Sequence, residues 1–133
     1  MSKFTKKAGV ESSEGNLVFV RPTDLARAGF TGVVAEGELA GMTPNRYDEN
    51  KQDFKIVADT EFKVEGVDKE GKKYIKEVNA GDTLIINAAG NLEYLMKSVG
   101  IGNLCQISYF GKKEITKGNY KGTLAHTFEV MYE

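Results

Sequence analysis

The sequence predicts a mainly β domain: a small five-stranded Greek-key barrel with one short helix before its last hairpin. Three observations predict it. Short segments of alternating apolar and polar residues recur along the chain, bounded by Gly, Asn and Asp. One later segment changes to a helical period. Neither an internal repeat nor a βαβ alternation is present, which argues against a parallel α/β sheet.

Taken in order, residues 1–16 are polar, charged and small, and read as a flexible N-terminal arm, leaving 17–133 as a single domain. Leu17 to Val20 is a short strand. Pro22 at a helix start and Gly29 past a helix end bracket a brief helix around Asp24 to Ala28. "GVVAEGELAG" from Gly32 alternates as a strand, and Gly37 inside it marks a bulge or tight bend. "MTPNRYDENK" is a loop by its Pro, Asn and Asp content. "QDFKIVAD" sets Phe54 and Ile56 on one face against Asp53 and Lys55.

"EFKVEG" and "KKYIKEV" are arms of an extra hairpin around 62–76, and "DTLIINAA" is a wholly apolar strand. Leu92, Leu95, Met96 and Val99 then form one helical stripe, ended by Gly100. "NLCQISYFG" and "TLAHTFEVMY" are the last two strands. Alternation sets Cys105, Ile107 and Tyr109 on one side of the first, and Phe128, Val130 and Tyr132 on one side of the second. A helix between the third and fourth strands of a five-stranded barrel is the order of the OB-fold.

With 41% hydrophobic and 28% charged residues, the composition is that of an ordinary soluble globular protein. A net charge of −1 and a pI near 5.9 argue against a generally basic nucleic-acid binder, although a local basic face outweighs the sum. The lone Cys105 has no internal disulfide partner and sits in an apolar run, so a reducing compartment and a buried thiol are expected. The N-terminal stretch has positive charge without an apolar run, so no signal peptide is expected. No segment approaches the roughly 20 apolar residues of a membrane span.

The inventory for catalysis is thin. His126 is the sole histidine, no Cys-x-x-Cys accompanies it, and no serine sits in a nucleophile elbow. "GIGN" at 100–103 follows a helix where a phosphate loop would follow a strand. "DENKQD" at 48–53 lacks the glycine of a calcium loop and runs into a strand. The expectation is a protein that is not an enzyme and needs no cofactor or metal.

One segment stands apart. "GKKEITKGNYKG", joining the last two strands, carries Lys112, Lys113, Lys117 and Lys121 with Tyr120, and Phe110 at its entry. An OB barrel binds ligands over its second and third strands, framed by the loops after strand one and between strands four and five. The first of those loops supplies Arg46, Tyr47 and Lys51; Lys55 and Lys63 point away from the core on the strands between. Basic and aromatic groups would converge on one face. Lysines neutralise phosphates and release counterions, and aromatics stack on unpaired bases, so the set suits single-stranded nucleic acid. A solubilising hairpin tip accounts for the same lysines and glycines, and so leaves a β-module that docks onto protein, or one that binds RNA or a sugar, as rival readings.

"VVAEGELAG…PNRYDENKQDFKI" and "AAGNLEYLMKSVGIGNLCQISYFGKKEITKGNYKGTLAHTFEV" resemble the bacteriophage family of single-stranded-DNA-binding proteins with an OB-fold. The resemblance rests most on Gly90 to Leu92, on Ile107-x-Tyr109-x-Gly111-Lys112, on Lys117-Gly118-x-x-Lys121-Gly122 and on Ala125-His126-x-Phe128-x-Val130. It spans roughly residues 32–131 and is weaker over 62–80. It implies a protein that coats exposed single strands with little sequence preference during phage DNA replication, recombination or repair. The implied setting is the cytoplasm of a bacterial host, alongside phage replication or recombination proteins and away from membranes. It also sets Lys112, Lys113, Lys117 and Lys121 on the DNA side. No long acidic tail follows "FEVMYE", so recruitment of partners through such a tail is not expected.

Overall fold

The computed structural model describes residues 16–46, 48–116, 118–119 and 121–133. The expected N-terminal arm therefore lies outside the described residues, apart from Asn16. The described chain is mainly β. Its elements are β1 Leu17–Val20, α1 Pro22–Ala28, β2 Gly32–Pro44, β3 Gln52–Ala58, β4 Phe62–Val67, β5 Lys73–Val78, β6 Thr83–Ile86, α2 Leu92–Met96, β7 Leu104–Glu114 and β8 Leu124–Tyr132.

Helix α1 forms where the sequence places it. Pro22 opens it, and Gly29 closes it in the left-handed region at φ 66°, its N–H turned back to the carbonyls of Ala26 and Leu25. Two strands run further than their alternation implied. β2 continues through Met42 to Pro44, in a stretch read as loop, and β7 continues through Lys112 and Lys113 to Glu114. In both places a cross-strand partner, Gln52 to Phe54 or Leu124 to His126, supplies what local propensity lacks.

Six strands form one sheet in the order β1-β6-β3-β2-β7-β8, while β4 and β5 pair as a separate hairpin. The long β2 pairs with β3 and with β7, and Gly37 is common to both ladders, facing Ala58 on one side and Cys105 on the other. A side chain there has no room: its Cβ would lie 1.9 Å from the Val57 carbonyl oxygen. The register shifts of this strand lie on either side of it, between Val33 and Ala35 and between Leu39 and Gly41, so Gly37 is not itself the expected bulge and instead serves a close backbone approach.

The expected barrel does not close. A strand has two edges, and those of β6 are taken by β3 and, in parallel, by β1. β8 therefore has no edge of β6 to meet. In its place Asn91, just before α2, uses one side chain as a surrogate strand: its Oδ1 accepts from Phe128 N at 2.8 Å, and its Nδ2 donates to Phe128 O at 3.2 Å. Gly90 lets the chain come this close, since a Cβ would fall 1.9 Å from the His126 carbonyl oxygen. Leu92 and Met96 of α2 then plug the open end of the core, both buried.

The core holds Val18 and Val20 of β1, Leu39 of β2, Phe54 and Ile56 of β3, Leu84 and Ile86 of β6, Cys105, Ile107 and Tyr109 of β7, and Phe128 of β8. Each such apolar side chain stabilises the fold by about 1.5–3 kcal/mol relative to exposure. Tyr132, placed by alternation with Phe128, is instead exposed at the end of β8. Burial pushes the Cys105 thiol up to about 11, helped by the charge of Asp59, so it behaves as a small hydrophobe.

The β4–β5 hairpin adds Val64 and Val78 to the core. Polar ties fix it to the N-terminal elements: Tyr74 Oη donates to Asp24 Oδ2 at 2.6 Å, Arg27 donates to the Val67 carbonyl at 3.2 Å, and Lys76 Nζ donates to the Phe19 carbonyl at 2.7 Å. Burial and the hydrogen bond to Asp24 raise the pKa of Tyr74; burial, followed by the charge of Arg21, lowers that of Lys76.

Candidate nucleic-acid interface

The two halves of the sheet turn different chemistry outward. Residues two apart share a face of a strand, and cross-strand partners share a face of the sheet. On the β1-β6-β3 half the outward rows are Leu17, Thr83 and Val57, then Phe19, Ile85 and Lys55. The same alternation carries Arg21, Asn87 and Asp53 into a third row. Over this face lies a groove of about 490 Å³, whose lining includes Phe19, Arg21, Arg27, Arg46, Lys69 and Asn87. A second hollow of about 310 Å³ continues it past Leu17, Pro44 and Lys55, sharing Phe19, Arg46, Asp53 and Ile85.

Four carboxylates line the groove; Asp24, Asp53 and Asp68 are engaged by the fold, and Glu70 is exposed. Asp24 is buried and holds Arg27 at 2.9 Å as well as the Tyr74 hydroxyl. Asp53 is buried and accepts from Asn45 Nδ2 at 3.0 Å and from Asn87 Nδ2 at 3.2 Å. The carboxylate of Asp68 accepts from the backbone N–H groups of Glu70 and Lys72 and shapes the β4–β5 turn. Arg21, Arg46, Lys55 and Lys69 are the groove's other cations. The Arg46 guanidinium lies over the Phe19 ring, 5.1 Å from its centroid.

The structure gathers part of the expected set here. Arg46 and Lys55 line the groove, and Lys51 stands exposed on the same β2–β3 loop. Lys63 does not join them: it is exposed on β4 opposite Glu77. The lysine segment leaves from the other end of β2. Gly32 pairs with Tyr109 and Pro44 pairs with Gln52, so the β7–β8 tip and the 45–51 loop flank opposite ends of one strand. On that tip Phe110, Lys112, Lys113 and Lys121 are all exposed. Tyr47, Lys117 and Tyr120 lie outside the described residues.

At the base of the tip Lys112 faces His126 across the ladder, and the Tyr109 hydroxyl and His126 Nδ1 lie 2.7 Å apart. Burial, then the charge of Lys112, lowers the His126 pKa. Among the described residues no group of His, Cys, Asp and Glu is arranged to hold a metal ion.

Phe19, Arg21, Arg27 and Lys69 were not singled out from the sequence. A signal for the first two existed: Val18 and Val20 pointing inward leave Leu17, Phe19 and Arg21 outward. What it lacked was a partner, since β6 lies far along the chain. Comparison with protein-family models, curated proteins and solved structures gives no match to this chain.

Proposed function

We propose that the protein binds single-stranded DNA without turning it over, through an OB-like arrangement of β2, β3, β6, β7 and β8 with α2 between the third and fourth of these. The outward face of β3 and β6 carries this reading. There Arg21, Arg46, Lys55 and Lys69 surround an apolar, partly aromatic strip within a groove, the pairing of charge and stacking surface that unpaired strands use. Exposed Lys112, Lys113 and Lys121 extend the positive field beyond it as further phosphate contacts. In keeping with the family resemblance of the C-terminal half, the role is the coating of single strands during phage DNA replication, recombination or repair in a bacterial host.

Fluorescent oligo-dT, titrated at two salt concentrations against a duplex of equal length, tests the reading. Binding should favour the single strand, show little sequence preference, and weaken as salt rises. Equal affinity for the duplex sinks it. No binding even at low salt hands the chain to a protein-docking role, which Leu104 and Met131, exposed on the other half of the sheet, would serve.

A further inference from the structure

We infer that one nucleobase stacks on Phe19, between its ring and the guanidinium of Arg46, so that β1 is part of the binding surface. This deepens the reading of the chain as a single-strand binder and rests on it. β1 is not one of the five strands of the OB-like set; it is an addition to the edge of β6, and it brings the groove its aromatic ring.

The position is built for a flat ligand. Phe19 is half-buried in the middle outward row, beside Ile85 and in line with Lys55. Its backbone is held twice, by the parallel ladder with β6 and by Lys76 Nζ at 2.7 Å from its carbonyl. The backbone that carries the ring has little freedom left to lose when a base settles on it. Arg46 already occupies the stacking position at 5.1 Å. A base sandwiched between them needs roughly 7 Å, two contact distances of about 3.5 Å. Arg46 is exposed on a loop, so it lifts by about 2 Å and keeps a π-face beneath it, now the base's. Lys55, in the same row, is placed for the adjoining phosphate.

The chain contains no tryptophan, so Phe19→Trp installs a single indole at the site. Oligo-dT should quench that indole in step with binding followed independently by a label on the oligonucleotide. Phe19→Tyr should bind as the parent does, whereas Phe19→Leu should weaken binding about 5- to 150-fold with an unchanged salt slope, since it removes a stacking face and no charge. Thermal melts of all three variants identify any that fail to fold, and the indole signal from a folded Phe19→Trp decides the matter alone if Phe19→Leu does fail. A silent indole on a variant that binds oligo-dT, or a folded Phe19→Leu with parental affinity, overturns the inference while leaving single-strand binding intact. Failure of the parent protein to bind oligo-dT overturns both.

Discussion

The outward faces of the two sheet halves differ in charge although one strand, β2, runs between them. The β1-β6-β3 face sets Arg46 and Lys55 beside Phe19, and its groove is lined by Arg21, Arg27 and Lys69 as well as by Asp24, Asp53, Asp68 and Glu70. The β2-β7-β8 face is acidic and apolar: its rows are Val33, Ser108 and Glu129, then Glu36, Gln106 and Met131, then Glu38 and Leu104, with Glu133 bonded beside Leu104. Met131 is 63% exposed and Leu104 39%, and Asp59 follows β3 next to Glu36. No lysine or arginine stands in these rows. Of these two faces only the first offers cations to a polyanion, which biases how one would lie without any base contact. A net charge of −1 hides that division. The lysine tip belongs to the acidic half by its strands, yet it projects past the end of β2 and so escapes the acids.

Gly37 stands in the ladders of both halves, and filling it should have the largest effect. Gly37→Ala drives a Cβ into the Val57 carbonyl, which as backbone cannot swing aside, at a φ of 155° that side chains rarely adopt. The expected loss is at the exceptional end for a point substitution, about 4 kcal/mol or more, read from urea unfolding. Because both ladders meet at this residue, DNA binding and global stability should fall together. A Gly37→Ala protein of parental stability would show that the halves are set independently of this contact.

Charge removal sharpens the comparison more gently. Replacing Lys112, Lys113, Lys117 and Lys121 by Ala, one at a time, should lower the slope of log K against log salt by roughly 0.7 for each lysine that meets a phosphate. Glu36→Gln and Glu129→Gln on the acidic face should leave the slope unchanged. Stability should stay within about ±0.5 kcal/mol in every case, since Lys112, Lys113, Lys121, Glu36 and Glu129 all reach solvent and charge removals outside the core cost little. If the quadruple lysine variant keeps the parental slope, the tip is a solubilising turn and the groove alone carries the phosphates.

How much of this was legible follows from the range of the interactions. Local patterns were readable: the α1 brackets Pro22 and Gly29 and the inward set Cys105, Ile107 and Tyr109 lie where spacing places them, while of the stripe Leu92, Leu95, Met96 and Val99 the helix takes in only Leu92–Met96 and stops short of Gly100. Pairings distant in sequence were not. The parallel match of Leu17–Val20 with Thr83–Ile86 joins segments that share no turn, and it both prevents barrel closure and creates the groove. Asn91 reads as an ordinary polar residue before a helix, yet it caps the free edge of β8 through Phe128. Arg46 and Lys55 were visible as members of a basic and aromatic set. Phe19 was not, because its neighbours in space come from other strands.

The smallest expected effect lies where the acidic half becomes the lysine tip. His126 is half-buried on β8, across the ladder from Lys112 and 2.7 Å from the hydroxyl of fully buried Tyr109. Burial and Lys112 both disfavour its protonated form, so its folded pKa lies below the ordinary 6.5. Above that value both states hold a neutral ring and nothing changes with pH. As pH falls below 6.5 the unfolded chain takes up the proton first, and stability declines until the folded pKa is passed. The decline cannot exceed about 1.4 kcal/mol per pH unit. His126→Gln keeps a group able to bond the tyrosine but cannot titrate. Urea unfolding at pH 7.5 and 5.5 should therefore show the parent losing more stability than the variant, with contributions from carboxylates common to both cancelling in the difference. Equal losses would mean that His126 titrates as an exposed histidine does, and that neither its burial nor the Lys112 charge is felt at the foot of the tip.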